Sequence, residues 1–207
     1  MSNPISWNSL GQSGNRSGNK INNLRLETGT HQVRFIGEPI EFYKYFVNGK
    51  SAVTANPKTC PIRLKYNIEP STRYAINVID RKDGQLKVLE CPITVLKPVV
   101  TWSQVSKRDP GGDNSVDFAI TVSGQGKHRR YIPVALGDSP LTPAEKEMIK
   151  ATGGTEHGYD LVKLYKPVPE DEIEARLFGG GVSAKAVQKE QSPTTVGQTT
   201  TNVDIAF

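Results

Sequence analysis

Apolar side chains concentrate in the middle of the chain, and their spacing changes from strand-like to helical and back. Leu24 and Leu26, then Val33 and Phe35, alternate with polar residues on either side of Thr28-Gly29. That is the pattern of a strand, a turn and a second strand. Glu41 to Phe46 continues the sheet, with Phe46 and Tyr74 expected in the core, and Asn48-Gly49 supplies a hairpin turn signal. Ser51 to Thr72 has no clean period and is interrupted by prolines, so it reads as a loop or an inserted subdomain.

The stretch RYAINVIDRKDGQLKVLE, Arg73 to Glu90, predicts a hairpin. With Asp83-Gly84 as its turn, Lys82 faces Gln85, Asp80 faces Lys87 and Ile79 faces Val88. Ile76, Val78, Leu89 and Cys91 then share one face, and Ile79 and Val88 the other. Cys91 to Val105 continues as a strand or enters a short helix. Phe118, Ile120 and Val122 alternate in a further strand, followed by a Gly-rich tip and a returning strand.

Two helices are expected. In SPLTPAEKEMIKAT, Thr142 is placed to cap, Pro143 suits the first turn and Glu145 falls three positions after the cap. In PEDEIEARLFGGG, acidic residues open the helix and glycines end it. Between them Tyr159 to Val168 alternates as if returning to the sheet. Residues 1–23, rich in Asn, Ser and Gly, read as a flexible arm, and residues 179–207, rich in Ser, Thr, Gln and Gly, as a flexible tail. The folded domain is expected over 24–178 and mainly β.

Charge sharpens this picture by its distribution. The net charge is +5, but Arg25 to Pro110 holds 14 basic against 8 acidic residues, whereas Gly111 to Phe178 holds 8 against 11. The first half therefore carries the positive field. There is no apolar run of the roughly 20 residues needed to span a bilayer and no signal-like N-terminus, so no membrane partner and a cytoplasmic setting are expected. Cys60 and Cys91 read as a reduced, buried pair.

Little in the chain points to catalysis. No dinucleotide or P-loop glycine pattern occurs, His31, His128 and His157 are far apart in sequence, and there is no CxxC pair. No cofactor, metal or enzymatic activity is expected. A metal-dependent nuclease using Asp80, Asp113 and Asp117 stands as one alternative, and a virion structural or assembly protein as another.

The positive case rests on cations interleaved with rings. Lys44, Lys58, Arg63, Lys65, Arg73, Arg81, Lys82, Lys87, Lys107, Arg108, Lys127, Arg129 and Arg130 recur among Tyr43, Tyr45, Tyr66, Trp102 and Tyr131. Cations neutralise phosphates and aromatic faces stack unpaired bases, so the mixture suits single-stranded nucleic acid.

The layout GTHQVRFIGEP, CPIRLKY, RYAINVIDRKDGQLKVLE and DPGGDNSVDFAITV, spread over roughly Leu24 to Tyr131, resembles the core of the single-stranded DNA-binding proteins of T4-like and related tailed bacteriophages. That resemblance implies an OB-fold-like barrel with two short helices. It also implies sequence-nonspecific binding and protection of single-stranded DNA in replication, recombination and repair, in the host cytoplasm if viral. The family's zinc-binding insertion is not matched, since only Cys60 stands in that region, and its basic arm is weakly matched by Arg16 and Lys20, which implies only weak self-association. The final NVDIAF, with Asp204, Ile205 and Phe207, resembles the C-terminal tip with which bacterial single-stranded DNA-binding proteins dock replication and recombination partners.

Overall fold

Strand β2 (Gly29–Val47) is the element on which most of the others assemble. The computed structural model describes residues 21–179. Within them β2 pairs with β6 (Val116–Ser123) at its start and with β4 (Ser71–Asp80) through its middle. Its end pairs with β3 (Lys50–Thr54). One strand serves all three because it is broken by a bulge: Ile36 faces Asn77 and Ile40 faces Ala75, so Gly37, Glu38 and Pro39 together oppose only Ile76. Gly37 adopts φ +66°, and its N–H donates to the Gly111 carbonyl at 3.0 Å. A Cβ on Gly111 would stand 1.9 Å from the Gly37 oxygen, so this backbone approach requires glycine.

The strand order is β1–β5–β4–β2–β6–β7, with β3 alongside β2, β1 being Asn23–Leu24, β5 Gln85–Cys91 and β7 Arg130–Asp138. All pairings are antiparallel except β1 with β5. The sheet is open, and the expected OB-fold-like barrel is not formed. Closure would require β7 to hydrogen-bond back onto β5; the outer edge of β5 is instead taken by Asn23 and Leu24, which face Val88 and Leu89.

The helical content also differs from expectation. Five helices stand among the described residues instead of two: α1 (Pro61–Tyr66), α2 (Ile93–Ser106), α3 (Pro143–Ala151), α4 (Leu161–Leu164) and α5 (Glu170–Phe178). The open mixed sheet with five helices overturns the likeness to the phage single-stranded DNA-binding proteins. The OB-fold, bacteriophage, replication, recombination and repair assignments that rested on that likeness fall with it.

The three helices beyond the expected two form for different reasons. Helix α2 contains Pro98, which removes an internal hydrogen bond and costs about 3 kcal/mol in a helix interior. Burial of Val95, Leu96 and Val99 on one side offsets this, at roughly 2 kcal/mol per side chain. Helix α1 starts on Pro61, whose missing N–H is harmless at the first turn. Helix α4 is started by Asp160, whose carboxylate accepts from the Lys163 N–H at 3.1 Å.

Where turn and cap chemistry was explicit, the structure agrees with the sequence. The Thr142 hydroxyl accepts from the Glu145 N–H while the Glu145 carboxylate accepts from the Thr142 N–H, a complete capping box. Asn48 and Gly49 both have positive φ between the paired Val47 and Lys50. In the hairpin of β4 and β5, however, Asp80 faces Gln85, and Arg81 to Gly84 form a four-residue turn. This register differs by two residues from the expected one, a slip that leaves every side chain on its expected face. Lys87 reaches Asp80 from the adjacent pair at 2.7 Å and Asp83 at 2.6 Å.

Helix α2 covers one sheet face, closing a core of Phe35, Val78, Leu89, Val95, Val99 and Phe118 among others. Ile149 of α3 and Leu161 of α4 pack on the opposite face, over Ile79 and Val88. Strand β4 is consequently buried on both sides, every residue from Ala75 to Asp80. A separate core joins Tyr45 and Val47 to Ile62 of α1 and to Ile173 and Leu177 of α5.

The most consequential buried group is Arg34, which is wholly shielded from solvent. Its Nε donates to the Ser139 carbonyl at 2.9 Å and its Nη1 to those of Phe35 at 2.6 Å and Pro110 at 3.0 Å, while Nη2 donates to the carbonyl of Gly112. Burial pushes its pKa down, and the nearby Asp117, Glu145 and Asp113 act against that. Arg34→Met strands four carbonyls. It is expected to cost about 3 kcal/mol, read as a lower urea midpoint at unchanged slope; a midpoint equal to the parent protein's would refute the role given to Arg34.

Candidate nucleic-acid interface

Beyond its bulge, β2 alternates so that Phe42, Lys44 and Phe46 share a face. Phe42 is buried against Tyr165, with ring centroids 4.2 Å apart. Phe46, two positions past Lys44, is 71% exposed. On β4, Arg73 lies opposite Phe42 and Ser71 opposite Lys44. On β5, Glu90 comes to the same face, opposite Ala75. One Glu90 oxygen accepts from Lys44 Nζ at 2.7 Å and the other from Arg73 Nε at 3.3 Å.

These residues floor a groove. A cavity of about 510 Å³ runs from Lys44, Arg73 and Glu90 past Tyr165 to Arg25, Arg129 and Tyr131. A second, of about 320 Å³, extends it over Ser71 to Phe46 and shares Lys44, Arg73 and Glu90. The open edge of the sheet creates this space, because the start of β7 stands off from β1 and β5 instead of pairing with them. The lining holds four cations, Arg25, Lys44, Arg73 and Arg129, against Glu27 and Glu90. Arg25 and Arg129 are exposed and have no ion-pair partner among the described residues.

Burial pushes the Tyr165 hydroxyl up to about 12 and the Cys91 thiol likewise to about 12, with Glu90 adding to both. Both groups therefore stay protonated near neutrality, and the Cys91 thiol is inert. The groove offers fixed positive charge, an exposed ring and the neutral Tyr165 hydroxyl. That combination suits holding an anion and stacking a flat apolar group.

Of the residues singled out in the sequence, Lys44, Arg73, Arg129 and Tyr131 come together here. Others are placed elsewhere. Tyr45 is fully buried, and burial pushes its hydroxyl pKa up, so its ring belongs to the core. Tyr43 is half-buried, its hydroxyl donating to Glu41 at 3.2 Å. Arg63 pairs with Glu69 at 2.8 Å, Lys65 with Glu174 at 2.6 Å, and the Tyr66 hydroxyl also donates to Glu174. Lys58 is exposed just before α1. Trp102 packs edge-on against Phe118, with Arg108 6.0 Å over its ring and paired to Asp138, next to Lys107 at the end of α2. Arg130 is exposed on β7, Lys127 lies in the short 3-10 turn before it, and Lys82 is exposed at the hairpin tip. Asp204, Ile205 and Phe207 lie outside the described residues.

Arg81 and Lys87 are held within the protein. Arg81 grips both oxygens of Asp117 at 2.8 and 2.9 Å, the Ser139 hydroxyl at 2.7 Å, and Glu145. Lys87 is closed in by Asp80 and Asp83. The carboxylates of the nuclease alternative are thus each engaged with a different cation, Asp80 with Lys87, Asp113 with Lys146 and Asp117 with Arg81. Among the described residues no three His, Cys, Asp or Glu side chains converge as a metal site, and no helix is long and apolar enough to cross a membrane.

Sequence reasoning missed Arg25, Phe46, Glu90 and Tyr165. For Arg25 the signal was present, since Leu24 and Leu26 point inward and the residue between them must point out. Phe46 was assigned to the core and Tyr45 to the surface, the reverse of what is found; the buried Val47 sets the phase that would have placed both correctly. No protein-family model matches the chain, and no curated protein matches it.

The Arg81 cluster makes stability depend on acid. Burial pushes the Glu145 carboxyl up, but the Thr142 N–H, Arg81 and the Thr142 hydroxyl outweigh it and hold it below the ordinary 4.5 of a glutamate. A depressed carboxyl contributes stability above its unfolded pKa and loses it as pH falls through the folded value. Glu145→Gln is therefore expected to cost about 2 kcal/mol at pH 7, and to flatten the decline of the urea midpoint below pH 4.5. An acid decline as steep as the parent protein's would contradict this.

Proposed function

We propose that the groove binds single-stranded nucleic acid without strong sequence preference, and that the protein acts as a binding module. The observation that carries this reading is the placement of Phe46. A ring left 71% exposed beside Lys44 and Arg73 has no role in the protein's own core. Isolated exposed apolar residues are common. This one stands at the end of a cationic groove that already contains Tyr131 and Tyr165.

The chemistry of the ligand follows from that pairing. Phosphates interact with Arg25, Lys44, Arg73 and Arg129, and an unpaired base lies on the Phe46 ring. Duplex DNA fits less well, because its bases are stacked on one another and present no free face to Phe46. The helices close to the groove supply no basic recognition surface either, since α4 carries only Lys163, which is paired with Asp160 at 3.0 Å.

The test is fluorescence anisotropy with matched single-stranded DNA, single-stranded RNA and duplex DNA at several salt concentrations. Single strands are expected to bind, with a log–log salt slope near −2.8 if four phosphates are neutralised. Arg73→Gln is expected to reduce that slope by about 0.7. Phe46→Ala is expected to weaken binding by about 1–3 kcal/mol with little change in slope. Absence of binding at low salt, or affinity unaffected by either substitution, removes the reading.

A further inference from the structure

A second groove lies on the other sheet face, and its chemistry is opposite. On β4, Arg73 points into the cationic groove and its neighbour Tyr74 lines the other one. This second cavity, of about 370 Å³, runs between α2 and the Gly37–Pro39 bulge of β2, with Phe35 and Ile76 at its base. Its helical wall is formed by Ile93, Leu96, Val99, Val100, Ser103 and Gln104, among which Ile93, Leu96 and Val100 follow one another at spacings of three and four residues. That is the spacing of a seam against which a second helix packs. Leu96 is only 5% exposed, but Ile93 and Val100 are 46% and 50% exposed, so the seam is apolar and uncovered along its outer edge.

The rim is purely acidic. Glu38 and Asp109 line the cavity, and no Lys, Arg or His does. Both are exposed, and neither has an ion-pair partner among the described residues. The Asp109 carboxylate is held in place by accepting from the Gly111 N–H at 2.8 Å. A neighbouring cavity of about 320 Å³ shares Glu38 and Asp109; its other carboxylates, Asp113 and Asp160, are paired with Lys146 and Lys163, and His157 lines it as well, so the unpaired acidic charge is that of Glu38 and Asp109. A nucleic acid is repelled here, whereas an apolar helix face flanked by cations is matched on both counts.

We propose that this groove docks an amphipathic helical segment of a partner protein, with its apolar residues against Ile93, Leu96 and Val100 and its Lys or Arg side chains against Glu38 and Asp109. The site is independent of the cationic groove, so a partner and a nucleic acid can be held at once.

The experiment uses the full chain and three fluorescent peptides about as long as α2, which has 14 residues. The first carries leucines at the seam spacing with flanking lysines, the second has glutamates for the lysines, and the third has serines for the leucines. The lysine–leucine peptide is expected to bind at least tenfold more tightly than either of the others. Glu38→Lys and Val100→Asn, both at exposed positions, are each expected to weaken it at least tenfold while leaving the thermal midpoint unchanged. Equal binding of the three peptides, no binding of any, or full affinity in both variants overturns the proposal. So does sedimentation velocity showing a dimer that Val100→Asn dissolves, since the groove is then the interface between copies of this chain. Oligonucleotide binding is measured in the same samples and reports on the other groove separately.

Discussion

The guanidinium of Arg34 is the contact on which the arrangement of loops depends. A buried charge without a directly bonded carboxylate is tolerable only when its donors are used and counter-charge is near. Here the donors go to carbonyls from three places, the strand that carries Arg34, the loop from Pro110 to Gly112, and Ser139 before α3. That one side chain fixes the Gly111 loop against the β2 bulge, which in turn sets the exit of α2. The adjacent Arg81 extends the same arrangement to α3 through Glu145. Asp117, bonded to Arg81, supplies compensating charge to both guanidinium groups.

The sequence revealed those parts of the fold governed by local rules. Thr142, Pro143 and Glu145 specify a helix start by themselves, and Asn48-Gly49 specifies a turn, because each uses contacts within a few residues. Helix α2 was obscured by Pro98, whose cost is local while the compensating burial of Val95, Leu96 and Val99 depends on a sheet that forms elsewhere. The open sheet was equally hidden, since it turns on Asn23 and Leu24 pairing with a strand more than sixty residues away. The candidate site was partly legible. Basic and aromatic residues were recognised as a set, but the set could not separate Lys44 and Arg73 from Arg81 and Lys87. That separation depends on which carboxylates lie across the fold.

Strand β4 links the two surfaces. Buried on both sides from Ala75 to Asp80, it emerges at Arg73 and Tyr74, one residue for each face. The cations and the acidic rim are thereby held on opposite sides of a single layer of backbone. Tyr74 is tied by its hydroxyl to Glu41 at 2.6 Å, which faces it on β2. The strand is held in register on both sides of the layer.

The bidentate use of Glu90 has a consequence for ligand choice. Lys44 and Arg73 are not free cations awaiting an anion; each already shares a carboxylate, and a phosphate must displace that contact to gain its own. An isolated phosphate exchanges one ion pair for another and gains little. A polymer whose further charges reach Arg25 and Arg129 in the same event gains contacts that require no exchange. Under the reading proposed above, Glu90 thereby guards the groove against single phosphates, and the threshold it sets is one that a chain of linked phosphates crosses.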